Sequence, residues 1–183
     1  MARPPEFDRT QALVKALHVF WDRGYERTSV RDLTAAMGIS APSLYNTYGG
    51  KKQLYDEAVA AYTSGPAMVV APALEESTSR AVFAKILDNG VREYGSDDHP
   101  RGCFVISDPM LGGERQVGRD ALAQRLRDAR DNGDLPPECD VQALTDYIDV
   151  VLRGLSSLAR DGVDQQALRA AADVALRAWP GQS

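Results

Sequence analysis

The sequence has little of what secreted and membrane proteins need. Its two cysteines, Cys103 and Cys139, cannot build a disulfide framework, and such scarcity is typical of a reducing compartment. The first residues carry no apolar run of the kind found in secretory signals. The longest mildly apolar stretch, 58–74, is interrupted at Gly65 and Pro66, whereas a membrane span needs about 20 apolar residues in succession. We therefore expect a soluble cytoplasmic protein without a membrane partner.

Aromatic residues are also few, at 7% of the chain, and the apolar share of 44% depends strongly on alanine. Alanine is the best helix former and adds little to a pleated sheet, so the composition predicts an all-α fold. The charged share of 26% is compatible with a packed core and excludes a disordered tail. A length of 183 residues allows one domain or two small ones.

Side chains for catalysis or metal binding are scarce. Of the two histidines, His18 falls inside a predicted helix and His99 stands four residues before Cys103. That gap is metal-like, but no second pair at ligand spacing accompanies it. The glycine-rich stretch 112–118 lacks the Lys-Ser/Thr of a phosphate-binding loop and is predicted to be a plain loop before a helix. We expect no enzyme activity, no cofactor and no metal site.

Negative charge is in excess overall, but it is unevenly distributed. The net charge of −5 by itself argues against a nucleic-acid partner. Residues 1–55, however, contain 8 basic and 5 acidic side chains, a net charge of +3, which leaves −8 for the remainder. Such asymmetry predicts an N-terminal part that faces an anion and a C-terminal part that does not.

Capping signals divide the N-terminal part into helices. Asp8 is a typical N-cap for a first helix, and Gly24 is predicted to be its left-handed C-cap glycine. Ser29 and Asp32 have the spacing of a capping box at the start of a second helix. Lys51 is predicted to open a fourth helix that ends or kinks at residues 65–66.

Residues Val30 to Tyr48 have the spacing of a helix, a three-residue turn and a short helix. Gly38 supplies the turn, and Ser40 can cap the short helix. This is the spacing of a helix-turn-helix, whose second helix lies in the DNA major groove. Two ordinary core helices joined by a turn would produce the same pattern, and this alternative stays open here.

The rest of the chain shows further helical stripes, which bring the predicted total to about nine helices. The segment from Cys103 to Leu111 is predicted to be helical, although Phe104, Val105 and Ile106 would also suit a strand.

Four segments between Phe7 and Ala61 have a recognisable pattern, namely Phe20–Tyr25, Thr28–Leu33, Gly38–Tyr45 and Tyr48–Leu54. They resemble the signature elements of the TetR family of bacterial transcriptional regulators. The segments follow one another in the family's order with the family's gaps. Departures are mild: Tyr48 stands where the family usually has phenylalanine, and two glycines precede the fourth helix.

The resemblance implies an all-α homodimer with an N-terminal helix-turn-helix domain, residues 1–50, that binds DNA. It implies that residues 51–183 form a helical domain that binds a small-molecule effector and dimerises. We accordingly expect a repressor that binds a palindromic double-stranded operator and is released by a largely apolar small molecule. A redox-sensing regulator based on Cys103 and a helical adaptor without a small-molecule ligand are the alternatives.

The resemblance and the side-chain chemistry together suggest a role for each DNA-facing residue. The residues expected to contact base edges are Arg31, Ala41, Pro42, Ser43 and Asn46. The residues expected to contact phosphates are Thr28, Tyr45, Thr47, Tyr48, Lys51 and Lys52. Only the first set reads sequence, since phosphate contacts set register alone.

Two further sets belong to the C-terminal part. The effector is expected between the fourth, fifth, seventh and eighth helices, against Tyr62, Phe83, Leu87, Phe104, Met110, Tyr147 and Val151. The dimer surface is expected on the last two helices, at Leu155, Leu158, Leu168, Ala171, Ala172 and Ala175. For both sets, packing inside the chain's own core is the alternative.

Overall fold

The chain is helical throughout the part that the structure describes. The computed structural model describes residues 7–65 and 68–180, and in these ranges it contains nine α-helices, two short 3-10 turns and no strand. The predicted all-α fold is therefore confirmed. The chain forms two compact units, one up to residue 67 and one from residue 68 onward.

The first unit is a four-helix domain. Its helices are α1 (Arg9–Arg23), α2 (Val30–Met37), α3 (Ala41–Tyr48) and α4 (Lys51–Thr63). α1 packs against α2 and α4, and α3 packs against the same two helices. Each helix contributes a fully buried side chain to the core, namely Phe20, Leu33, Leu44 and Leu54. Burial of one such side chain contributes about 1.5–3 kcal/mol, so the core fixes α3 against its neighbours.

The ends of α1 illustrate how local signals set its length. The Asp8 carboxylate accepts hydrogen bonds from the backbone N–H groups of Thr10 and Gln11, as expected of an N-cap. Gly24 has the predicted positive φ of 76°, but its ψ of 165° is extended rather than left-handed helical. Its N–H still closes the last turn on the Phe20 carbonyl, at 2.7 Å, and the chain then leaves the helix directly.

The second unit is built around α5 and α8. Its helices are α5 (Ser79–Tyr94), α6 (Phe104–Ser107), α7 (Gly112–Asp131), α8 (Val141–Arg160) and α9 (Gln165–Arg177). α5 packs against α8 and α9, and α8 also packs against α7 and α9. In its core, Phe83 stacks on Trp179 with ring centroids 4.9 Å apart. The Tyr147 hydroxyl donates to the Ala175 carbonyl at 3.1 Å, which ties α8 to α9.

The segment from Cys103 to Leu111 is helical, as predicted, but it is broken in the middle. α6 ends at Ser107, and Asp108 is extended, with ψ 118°. The next residue is Pro109, and a residue that precedes proline is disfavoured in the helical region. The Asp108 carboxylate then accepts from the Met110 N–H at 3.0 Å and starts a 3-10 turn.

Two arginines of α7 hold neighbouring segments through main-chain carbonyls. Arg115 donates to the carbonyls of Val105 and Asp108, at 2.7 and 2.8 Å. Arg125 donates to the carbonyls of Leu74 and Glu76, at 3.2 and 2.9 Å. These contacts fix both segments against α7 without using a carboxylate.

The prediction of a loop over residues 112–118 is wrong. Gly112, Gly113 and Gly118 all lie within the first two turns of α7. Glycine disfavours helix by about 1 kcal/mol per residue. The Arg115 contacts hold the first turn of α7 against the preceding segment, and such tertiary contacts override the local preference.

The compact units divide later than the sequence suggests. The predicted domains meet between residues 50 and 51, whereas α4 packs against α1 and α3 within the first unit. The functional division at that boundary stays a prediction. α4 ends at Thr63, and Pro66 lies outside the described residues. No helix in the described ranges is both long and apolar enough to cross a membrane.

Candidate nucleic-acid interface

A reciprocal cap fixes the start of α2. The Ser29 N–H donates to the Asp32 carboxylate at 2.9 Å, and the Asp32 N–H donates to the Ser29 hydroxyl oxygen at 3.1 Å. The Ser29 hydroxyl also donates to this carboxylate, and Arg23 pairs with it at 2.9 Å. The hydroxyl and the backbone N–H of Ser29, together with Arg23, hold the pKa of Asp32 below its usual value. The predicted capping box is confirmed.

The turn between α2 and α3 depends on Gly38. This residue adopts φ 71° and ψ 30°, the left-handed conformation that favours glycine. Its N–H and that of Ile39 both donate to the Thr34 carbonyl, at 3.0 and 3.2 Å. No heavy atom lies within 4 Å of the position that a Cβ would take. The requirement for glycine is therefore one of backbone dihedral angle and not of space.

α3 begins at a serine cap and buries one side. The Ser40 hydroxyl oxygen accepts from the Ser43 N–H at 3.2 Å, and Pro42 occupies the first turn, where its missing N–H costs nothing. Leu44 and Tyr48 point into the core of the first unit. The predicted helix-turn-helix is thus formed, and the opposite side of α3 is left for solvent.

That outer side is called the recognition face here. It consists of Ala41, Pro42, Ser43, Tyr45, Asn46 and Thr47. Ser43 and Thr47 are half-buried and the other four are exposed, with Tyr45 at 54%. Arg31 is exposed on α2. The structure therefore brings most of the predicted DNA-facing residues onto one short helix, with side chains that can approach a flat or grooved partner.

Lys51 and Lys52 lie at the N-terminus of α4. The N-cap residue, Gly50, supplies no side-chain hydrogen bond to the first turn. Such a terminus carries partial positive charge and attracts anions. The Lys51 ammonium lies 4.1 Å from the ring centroid of Tyr25. Lys52 is exposed and pairs with Asp56 on the same helix, at 2.5 Å.

Two of the residues predicted to contact phosphate have their hydroxyls engaged inside the first unit. Thr28 is 2% exposed and donates to the Gly24 carbonyl at 2.8 Å. Tyr48 is 3% exposed and donates to the Arg9 carbonyl at 3.0 Å. Burial raises the pKa of Tyr48. Both hydroxyls therefore stabilise the domain from within.

Arg9 contacts residues of α3 and α4, although no motif in the sequence predicts such a role. Its guanidinium carbon lies 5.0 Å from the ring centroid of Tyr48, and it pairs with Glu57 at 2.6 Å. Arg9 thus connects the start of α1 with the end of α3 and with α4. Its partners are 39 and 48 residues away along the chain, so no local spacing could have indicated them.

The residues predicted to line an effector site are mostly packed in the core. Tyr62 belongs to the first unit, where its ring meets Trp21 edge to face at 4.9 Å. Phe83, Leu87 and Phe104 are buried in the second unit. Tyr147 and Val151 are half-buried, and Met110 is 48% exposed.

A groove of about 410 Å³ lies elsewhere in the second unit, between α5 and α9. Its lining consists of Asp88, Val91, Arg92, Gln165, Gln166 and Arg169. Asp88 and Arg169 pair across it at 2.6 Å. None of the predicted lining residues contributes to this groove, and its charged walls do not suit an apolar effector.

The two cysteines are poorly placed for rapid oxidation. Cys103 is buried, and its N–H donates to the Ser156 hydroxyl oxygen at 2.9 Å. Burial raises the pKa of the half-buried Cys139 thiol. Reactive cysteines need exposure and a lowered pKa, so this arrangement favours packing over redox sensing.

The structure divides the residues predicted for a dimer surface. Buried in the core of their own unit are Leu155, Leu168, Ala172 and Ala175. Exposed are Leu158 and Ala171. Further exposed small or apolar residues follow the same two helices. Together they form the α8–α9 face, which consists of Val150, Gly154 and Leu158 on α8 and of Ala171 and Val174 on α9.

A family model described as "Bacterial regulatory proteins, tetR family" matches residues 12–58, which include α2 and α3. The chain is 32% identical to the HTH-type transcriptional repressor ComR of Escherichia coli (strain K12), over 97% of this chain and 91% of that protein. It is 34% identical to the uncharacterized HTH-type transcriptional regulator YezE of Bacillus subtilis (strain 168), over 96% of this chain and 98% of that protein.

The fold matches a solved DNA complex. A cysteine mutant of the TetR family transcriptional regulator CifR, complexed with 26-bp double-strand operator DNA, superposes with a TM-score of 0.89. The two sequences are 37% identical, and the match covers 97% of this chain and 100% of that one. With its helix-turn-helix formed and with likeness over nearly its whole length, the chain belongs to the tetR family of bacterial regulatory proteins, a family of DNA-binding transcriptional regulators.

Proposed function

We propose that this chain is a ligand-responsive repressor, which binds a palindromic operator as a homodimer and is released by a small, largely apolar effector. The observation that carries the DNA-binding part is the recognition face. Its six residues stand outward on α3, while Leu44 and Tyr48 fix the inner side of the same helix in the core. A short helix held in this way can enter a major groove without rearranging.

The recognition face has few strong readers of base sequence. The Asn46 amide can pair bidentately with adenine, and the Ser43 hydroxyl can donate to or accept from a base. Ala41 and Pro42 offer apolar contact only, for example to a thymine methyl group. Arg31 on α2 adds one charged reader. We infer that one half-site is read with modest affinity.

The proposed phosphate contacts are Tyr45, Thr47, Lys51 and Lys52. All four are exposed or half-buried, and the two lysines add positive charge at the N-terminus of α4. Thr28 and Tyr48 have a different part, because their hydroxyls already donate to main-chain carbonyls. They hold the loop before α2 and the end of α3 in place.

A dimer would supply the affinity that one half-site lacks. Two recognition helices about 34–36 Å apart match half-sites separated by one turn of DNA. The α8–α9 face supports such an assembly, since three of its members repeat every fourth residue along α8. A self-complementary helical surface of this kind forms a four-helix bundle in an isologous dimer.

Release by an effector requires that the effector bind more tightly to a form that fits DNA poorly. A coupling of about 1–3 kcal/mol, or 5–150-fold in affinity, is enough to change operator occupancy. An effector that bound among Phe83, Tyr147 and Trp179 would meet a largely apolar lining, and it would have to separate rings that pack against one another.

The test is a selection of binding sites from random duplexes by the full chain, followed by titration of the selected duplex at several salt concentrations. We expect one palindromic sequence, with affinity that falls as salt rises. Repeating the titration with a library of small apolar compounds would identify those that release the DNA. A chain that prefers no sequence and shows no salt dependence is an adaptor and not a repressor.

A further inference from the structure

We propose that Tyr25 is a positioning residue for DNA binding, whose ring holds the Lys51 ammonium beside the N-terminus of α4. The inference rests on the proposed function, in which Lys51 contacts a phosphate. Tyr25 lies in the loop between α1 and α2, and Lys51 is the first residue of α4. The contact therefore joins two segments that are separate along the chain.

The distance between the two groups indicates attraction. The Lys51 Nζ atom lies 4.1 Å from the ring centroid of Tyr25. A cation within about 6 Å of the face of an aromatic ring is attracted by the ring quadrupole. The ring covers only one side of the ammonium, so the N–H donors that point away from the ring can still reach a phosphate.

The ring of Tyr25 is itself held by two neighbours. Phe20 stacks near it with centroids 6.3 Å apart, and Tyr55 meets it edge to face at 4.8 Å. Phe20 and Tyr55 also contact each other at 5.0 Å, and both are buried. Because this cluster is anchored in the core, Lys51 is attracted to a fixed point and not to a mobile side chain.

Lys51 is the lysine at this helix end for which such positioning matters. Lys52 is already held by Asp56. Among the described residues, Lys51 has no carboxylate within ion-pair distance, and its flexible stem would otherwise sample many rotamers. Holding the ammonium near the uncapped first turn of α4 reduces the entropy that is lost when a phosphate binds.

A double-mutant cycle on the selected operator tests this inference. The variants are Tyr25→Leu, Lys51→Met and the combination of both. We expect Tyr25→Leu to lower operator affinity about two- to fivefold per protomer when Lys51 is present, the size of an exposed or partly buried cation–π contact, and therefore about four- to 25-fold for a dimer. We expect it to have no effect once Lys51→Met is in place.

A second series keeps the size of the ring nearly constant. Tyr25→Phe serves as the reference, and phenylalanines with increasing numbers of fluorine atoms replace it at the same position. Fluorine weakens the ring quadrupole, so operator affinity should fall in steps with the number of fluorines. A ring that acted only through packing would not follow that number, and thermal unfolding of each variant confirms that the domain is folded.

Two results would overturn the inference while leaving the proposed function intact. One is that the wild-type chain binds the operator while Tyr25→Leu and Lys51→Met change its affinity independently of each other. The other is tighter binding by Tyr25→Leu, which would show that the ring competes with the phosphate for Lys51. A wild-type chain that binds no duplex overturns the proposed function, and this inference with it.

Discussion

Among single residues, the partner of each basic side chain determines how readily that side chain can bind a DNA phosphate. Arg23 and Arg9 are paired with Asp32 and Glu57, and Lys52 is paired with Asp56. Exposed ion pairs of this kind contribute only about 0–1 kcal/mol, so a phosphate can replace the carboxylate. Lys51 differs, because its aromatic partner stays compatible with a bound phosphate.

The first prediction separates phosphate contacts from base contacts. Lys51→Ala and Tyr45→Ala should weaken binding to all duplexes alike, whereas Asn46→Ala should change which sequence is preferred. Each phosphate contributes about 0.9 to the slope of log affinity against log salt, so Lys51→Ala in a dimer should reduce that slope by about 2. Titrations of selected and scrambled duplexes measure both quantities. Equal effects of all three variants would contradict this division of roles.

Residue types and spacing were enough to predict the caps, the turn glycine and the outward position of most of the recognition face. They could not reveal the pairing of Tyr25 with Lys51 or of Arg9 with Tyr48. Both pairs depend on how separate helices pack, and no periodicity in the sequence encodes that. Tyr25 did belong to a segment that resembled the family, but the role proposed for it rests on the distance to Lys51.

The second prediction concerns the turn glycine. Gly38→Ala should destabilise the chain by about 1–2 kcal/mol, because an L-residue resists the left-handed conformation at φ 71°. Gly118→Ala is the matched control, since Gly118 lies within α7 and also has open space at its Cβ position. This control should stabilise the chain by about 0.5–1 kcal/mol, the helix preference for alanine. Urea unfolding of the three proteins measures the difference.

For whole elements, local signals predicted helix starts better than they predicted helix continuity. The caps Asp8, Ser29 and Ser40 bind N–H groups within the next three residues. Neighbouring residues in the sequence are therefore enough to predict these helix starts. The start of α7 was missed, because Arg115 fixes it through carbonyls that lie outside the helix. The break before Pro109 was readable in principle from the proline alone.

The third prediction tests the cap of α2 through its pH dependence. Asp32→Asn should be less stable than the wild type at pH 7, because the ionised carboxylate accepts from Ser29 and pairs with Arg23. The folded pKa of Asp32 lies below its usual 3.8. Its contribution is therefore present above that value and is lost as pH falls through the folded pKa.

Denaturant unfolding at pH 7 and at stepwise lower pH should show the gap between wild type and Asp32→Asn closing. Glu26→Gln removes one negative charge from an exposed position of the same domain and serves as the control. A gap for Asp32→Asn that stayed constant with pH would assign its effect to lost packing and not to charge.

For the whole molecule, the exposure of individual side chains indicates a dimer surface better than a helical stripe in the sequence does. The α8 and α9 stripes contain many small and apolar side chains. A stripe alone does not show which of these side chains are buried in the core of the same chain and which stay exposed. Leu155, Leu168, Ala172 and Ala175 fill the core, so they add no new area to an interface. Val150, Gly154 and Val174 were overlooked, yet they are exposed.

The fourth prediction tests the α8–α9 face. Leu158→Arg should give a monomer, because it places a charge within the proposed apolar interface. Val117→Arg is the matched control: Val117 is 70% exposed and Leu158 is 42% exposed, but Val117 lies on α7 outside that face. Light scattering during size-exclusion chromatography measures the mass. Operator affinity should fall more than tenfold for Leu158→Arg and remain unchanged for Val117→Arg.

The main-chain contacts of Arg115 and Arg125 have an evolutionary consequence. Every amino acid carries the carbonyl oxygen that these guanidinium groups bind, so residues 74–76 can drift in sequence without losing their anchor. Arg125 itself cannot drift in the same way, because its bonds leave from Nε and Nη2 and lysine has no planar fork that spans two acceptors. Homologues that differ at residues 74–76 but retain the arginine should keep the same backbone path there. The same should hold for engineered chains in which these residues are replaced.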